Sequence, residues 1–222
     1  MIQLFGHPFS SYTWKALIAL WENDTPFAFR RVDDACPDNE ANAAELTRHW
    51  PLAKFPLLLD GGRPVMEATA IIEHLAVHHP GPVPLIPADP AAAVATRMLD
   101  RIFDNHVMTP VQAIVAEHLP HLVPRSDATR VGRAHAALDT IYAWLDGHMG
   151  GREWAAADAF TLADCAAGPA LFYADWVRPI PHDHLALRAY RARLLARPSI
   201  ARAIEGARPF RHLFPLGAPD RD

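Results

Sequence analysis

The sequence predicts a small α/β domain with a mixed sheet, followed by an all-α helical bundle. Three observations carry this. The first eighty residues alternate short apolar runs with amphipathic stretches in the order β-α-β-α-β-β-α. Five prolines then crowd "HHPGPVPLIPADP", residues 78–90, a density that neither a helix nor a central strand accepts. Beyond it the chain reads as long Ala-rich helical segments. The expected division is residues 1–79, a linker at 80–90, and 91–222.

Each element has its own signal. "IQLFG" (2–6) is a short apolar run stopped by Gly6 and Pro8, a strand. In residues 10–22, Trp14, Leu17, Ile18 and Trp21 recur three and four apart, the spacing of an amphipathic helix. "PFAFRRV" (26–32) alternates like a strand, and "NEANAAELTRH" (39–49) is a helix rich in Ala and Glu. Asp60-Gly61-Gly62 joins two short strands within residues 55–66, a hairpin signal that adds an antiparallel edge to a parallel start. Residues 67–79 place Ile71, Ile72, Leu75 and Ala76 on one face of a third helix. The second half predicts helices near 90–119, 126–149, 161–177, 184–196 and 198–207, then a mobile tail, "PLGAPDRD".

Composition narrows the function. Of 222 residues, 50% are hydrophobic and 21% charged, as in ordinary globular proteins. A net charge of −4 offers no footprint for nucleic acid or an anionic membrane. No apolar run approaches the ~18 residues of a membrane span, and the start lacks a signal-peptide pattern. Cys36 and Cys165 are far apart and in no CxxC pair, so the cytoplasm is the expected compartment.

Several motifs carry both a structural and a chemical reading. Ser10, Ser11, Tyr12 and Thr13 follow the first strand and open the first helix. One serine suffices as an N-cap. The same place, at the carboxyl end of a first strand, is where open α/β sheets bind ligands, and a hydroxyl there can stabilise a thiolate. In "KFPLL" (54–58), Pro56 either starts an edge strand or forms a cis bond that turns the Phe55 backbone outward toward an extended ligand. In "MEATAI" (66–71), Glu67 either complements its own helix dipole or sits beside free N–H groups that hold a ligand carboxylate. Thr161 and Asp164 in "FTLADC" read as a structural capping box, with Phe160 and Cys165 as a staple. His74 with His78, and His79 beside them, have metal-like spacing, as do His118 and His121, but no carboxylate or cysteine completes either set in sequence, so no metal is assigned.

In order along the chain, "LFGHPFSSYTWKALIAL", "WPLAKFPLLLDGG", "MEATAIIEHLA", the Pro-rich linker, "FTLADC" and "YRARLLARPSIARAI" resemble the cytosolic glutathione transferase superfamily. The resemblance implies an N-terminal thioredoxin-like domain that binds glutathione, a helical C-terminal domain that holds an electrophile, and a homodimer. It places Ser10, with Ser11 in reserve, where serine-type members activate the glutathione sulfur. It implies that Phe55 and cis Pro56 pair with the cysteinyl backbone and that Lys54 reaches the glycyl carboxylate. Glu67 would meet the γ-glutamyl ammonium. The helix N–H of Ala68 would face the γ-glutamyl carboxylate.

Two positions depart from the family pattern. Ala68 replaces a serine, with Thr69 as the candidate substitute donor, and Trp50 stands where an asparagine often precedes the proline. Each lost hydrogen bond is worth about 0.5–1.5 kcal/mol. The leading expectation is conjugation of glutathione, as co-substrate, to a small electrophile. A glutathione-dependent isomerase and a non-catalytic binding protein are the alternatives. Met98, Phe103, His106, Met108 and Val111 are candidates for the electrophile pocket or for plain core.

Overall fold

The computed structural model describes all 222 residues. The N-terminal unit contains β1 (Ile2–Gly6), α1 (Ser11–Glu22), β2 (Phe27–Arg31), α2 (Asn39–His49), β3 (Leu57–Asp60), β4 (Arg63–Met66) and α3 (Ala68–His78). The sheet order is β2-β1-β3-β4. The β1–β2 pair is parallel, while β1–β3 and β3–β4 are antiparallel. The period-2 alternation of strands divides the core. Ile2, Leu4 and Leu58 face α1 and α3, whereas Phe5, Leu57 and Leu59 gather with Leu46 of α2. Gly6 lets the end of β1 approach α1, since a Cβ there would meet the Thr13 side chain at 2.5 Å.

After an irregular stretch come α4 (Pro90–Ile102), a π-helical segment (Phe103–Met108), α5 (Thr109–Ala116), α6 (Ala128–Met149), α7 (Leu162–Val177), α8 (Leu185–Ala196) and α9 (Pro198–Ala207), closed by a 3₁₀ turn (Arg208–Leu213). Every residue of α7 is buried, so this helix is the axis of the second half. Its small residues permit that. Gly168 is a contact point, where a Cβ would lie 2.9 Å from Ile200. The capping box is formed as expected: Asp164 accepts from the Thr161 N–H at 2.9 Å and from its hydroxyl at 3.1 Å.

Two expectations are corrected here. The predicted helix over 90–119 is broken by the π segment. Pro110 has no N–H to give the preceding turn, and the ladder shifts register, with the Thr109 N–H bonding Asp104 C=O. The tail is not loose: Arg221 pairs with Asp175, and Asp222 pairs with Arg208 and Arg211.

Buried ion pairs join the two halves. Lys15, in the middle of α1 and 1% exposed, pairs with Asp100 and, at 2.8 Å, with Asp104. At the far end of α1, Glu22 binds Arg197 and Ser199.

Candidate glutathione and electrophile site

The residues before α1 are anchored one after another. Trp14 Nε1 donates to Pro8 C=O at 2.6 Å, and the Tyr173 hydroxyl donates to Phe9 C=O at 2.8 Å. The Phe9 N–H donates to His7 Nδ1 and the Ser10 N–H to His7 C=O, both at 3.0 Å. Burial lowers the His7 pKa, opposed by nearby Asp33, and keeps that ring a neutral acceptor. This lattice delivers Ser10 as the N-cap of α1. Its Oγ accepts from the Thr13 N–H at 3.2 Å, which leaves the hydroxyl proton free to donate elsewhere.

Two cavities meet at this serine. A polar cleft of about 550 Å³ gathers Lys54, Phe55, Pro56, Glu67 and Ala68 around Ser10 and Tyr12. An apolar cavity of about 270 Å³ lies on the other side, walled by Phe9, Met108, Val111, Val115 and Phe214. Ser10, Tyr12 and Gln112 border both. Ser11, the first residue of α1, borders only the apolar cavity. Burial, with Asp104 nearby, pushes the Tyr12 phenol up to about 12, so it stays protonated.

The individual positions sharpen the sequence readings. Phe55–Pro56 is cis, and neither the N–H nor the C=O of Phe55 pairs with another backbone group. Glu67 is the N-cap of α3 but makes no capping hydrogen bond. It is exposed and holds φ 68°, a left-handed conformation that costs a non-glycine residue about 1–3 kcal/mol. Ala68 is the first helical residue behind it. Thr69 is not a substitute donor for the missing serine. Its hydroxyl turns inward, donating to Asp100 at 2.9 Å and accepting from Lys15 at 2.8 Å.

Sequence reasoning missed Arg101, Asp104, Asn105 and Gln112, which close the polar cleft from the helical half. The π segment places Asp104 there. Burial raises its carboxyl pKa, with Lys15 pulling the other way. The available signals were Lys15 in an apolar run and a proline inside a helical pattern. Of the five electrophile-pocket candidates, Met108 and Val111 line the apolar cavity. Phe103 is core, Met98 is 52% exposed, and His106 lines an outer groove.

Comparison with known proteins agrees with this architecture. The family model for the glutathione S-transferase N-terminal domain matches residues 4–83, and that for the C-terminal domain matches residues 112–214. A glutathione S-transferase from Methylobacterium radiotolerans, solved in complex with glutathione sulfonate, is 30% identical with a TM-score of 0.75. The match covers 91% of this chain and 94% of that one. The chain belongs to the glutathione S-transferase family. A glutathione S-transferase domain-containing protein from Marinobacter aquaeolei is 26% identical with a TM-score of 0.77, covering 89% of this chain and 99% of that one. Glutathione S-transferase F7 of Arabidopsis thaliana is 26% identical over 175 residues, 78% of this chain and 83% of that protein. This transferase carries the family's two-part architecture with its cleft between the halves. No helix is long and apolar enough to cross a membrane.

Proposed function

We propose that the protein joins the sulfur of glutathione to a small apolar electrophile, with the Ser10 hydroxyl donating to the thiolate. The observation that carries this reading is the position of Ser10 on the shared wall of the polar and apolar cavities. A tripeptide lying in the polar cleft has its cysteinyl side chain at that wall if Phe55 pairs with its backbone. Glu67 then takes the ammonium, the N–H groups at the start of α3 take the γ-glutamyl carboxylate, and Lys54 takes the glycyl carboxylate. The sulfur loses its proton to solvent. The thiolate, held by Ser10 and the N-terminal dipole of α1, attacks the electrophilic carbon, and the leaving group departs with the electron pair.

The test compares Ser10→Ala, Ser10→Gly and Ser11→Ala with glutathione and a chromogenic aryl halide. Glycine at an N-cap costs only a few tenths of a kcal/mol and alanine about 1, so the two Ser10 variants differ in stability. Both should lose activity ~10-fold or more and show a raised pKa for the bound thiol. Activity in Ser10→Gly equal to the wild type removes the hydroxyl from the mechanism.

A binding-only role is the second reading, favoured by Ala68 and by the commitment of the Thr69 hydroxyl to Asp100. Glutathione binding by calorimetry without turnover of any aryl halide would select it. The groove of about 870 Å³ beside the exposed Trp144 and the half-buried Ile141 supports the homodimer, which sedimentation tests. A cytoplasmic location is part of the same reading.

A further inference from the structure

Away from the glutathione cleft, the fold assembles a cluster that the histidine spacing on α3 announces only in part. Asp60 ends β3, held in place by its pairing with Ile2 of β1, and opens the Asp60-Gly61-Gly62 turn. His74 lies on α3, and His79 is the C-cap of that helix, its N–H bonded to Leu75 C=O at 2.8 Å. Asp60 Oδ2 lies 3.0 Å from His74 Nε2 and 2.6 Å from His79 Nε2. All three donor atoms fall within 4.8 Å of one another. The side chains are partly desolvated, with 9% exposure for His74, 23% for Asp60 and 33% for His79. The His78 ring packs on His74 with centroids 4.4 Å apart. Space beside the turn is open, since a Cβ at Gly61 or Gly62 would meet nothing within 4 Å.

The geometry points to a divalent transition-metal site made by Asp60, His74 and His79, with zinc as the best-suited ion. Two imidazoles and one carboxylate form a donor set that suits zinc, copper or nickel rather than magnesium or calcium. Bond lengths of ~2.0–2.2 Å in a tetrahedron separate donor atoms by about 3.3–3.6 Å. The Asp60 contacts, at 3.0 and 2.6 Å, are shorter than that, so an ion replaces the bridging protons once the carboxylate and the imidazoles move apart to admit it. Water, or His78 after a rotation, completes the fourth position. The sequence alone pairs His74 with His78. The fold instead supplies Asp60 from across the hairpin and substitutes His79.

The site's place in the fold assigns it a bracing role. β3 and α3 each run from the glutathione cleft, at Pro56 and Glu67, to this cluster. The separation is therefore ~13–16 Å, one four-residue strand or one eleven-residue helix. The ion ties together the far ends of the two elements that frame the cleft and touches no reacting atom.

Metal-stripped protein, free of glutathione, is titrated with zinc chloride by calorimetry and with cobalt chloride by visible absorption. One equivalent should bind with a micromolar or tighter Kd. Zinc at ~100 times that Kd should raise Tm by about 5–10 °C. Asp60→Asn and His79→Gln should each weaken binding at least tenfold, while a His118→Gln/His121→Gln double variant should bind as the wild type does. His79 is one-third exposed, so its replacement tests the site even if Asp60→Asn folds poorly. Absence of binding at millimolar zinc overturns the inference, as does binding undiminished in His79→Gln.

Discussion

The hydroxyl of Tyr173, on the central helix of the second half, donates to the backbone carbonyl of Phe9, immediately before Ser10. One hydrogen bond thus connects the core of the helical half to the loop that presents the candidate catalytic hydroxyl. The Tyr173 ring packs edge-on against Phe9 with centroids 5.4 Å apart, and Tyr173→Phe keeps that contact. Loss of the bond is worth about 0.5–1.5 kcal/mol, so kcat/KM should fall roughly 2- to 10-fold and Tm by a few degrees. Unchanged kinetics in Tyr173→Phe would show that the loop is positioned without it.

His7 makes the same loop sensitive to acid. Its Nδ1 accepts from the Phe9 N–H, which only the unprotonated nitrogen can do, and burial lowers its pKa. A histidine with a depressed folded pKa contributes stability above its unfolded value of ~6.5, lost as pH falls through the folded value. Glutathione affinity and Tm should therefore both decline on the acid side of ~6.5. In His7→Asn the side-chain carbonyl can accept the same bond as an Asx turn without titrating. That variant should lack the His7 part of the decline. An identical pH profile in both proteins removes His7 as its cause.

How much was legible in advance follows from how local each determinant is. The hairpin at Asp60-Gly61-Gly62 and the capping box of Thr161 and Asp164 depend on neighbours within a few residues, and both formed as read. Lys15 depends on Asp100 and Asp104, 85 and 89 positions away, and no periodicity in α1 marks it as a buried cation. Thr69 was misread for the same reason: its partners come from two other helices. Pro110 was visible, yet the register shift it imposes, which delivers Asp104 to the cleft, required the surrounding helix to be fixed at both ends. Determinants closed by neighbours a few residues away were therefore readable in either half, and those closed between the halves were not.

Glu67 holds a strained backbone without using its side chain to cap α3. Replacing it with glycine relieves the left-handed conformation, so Glu67→Gly should raise Tm. If Glu67 binds the ammonium, the same change removes a charged hydrogen bond worth about 1.5–3 kcal/mol and weakens glutathione ~10- to 100-fold. Calorimetry with glutathione and a thermal melt read the two effects separately. A lower Tm with an unchanged Kd would make Glu67 a structural residue.

Asp164 bears on the stability of the frame that holds the whole site. Besides Thr161, its carboxylate accepts from the Ala155 N–H at 3.0 Å and from the Tyr190 hydroxyl at 2.6 Å, all in the interior. Asp164→Ala strands four buried donors at once, two of them on Thr161, at a cost of about 4 kcal/mol or more, which lowers Tm by ~10 °C. Tyr190→Phe deletes only one donor and leaves the other bonds intact, so about 1 kcal/mol and 2–4 °C are expected. Urea unfolding of the two variants measures the ratio. Similar small losses in both would mean that water replaces the missing carboxylate, and that the capping box contributes no more than an ordinary helix start.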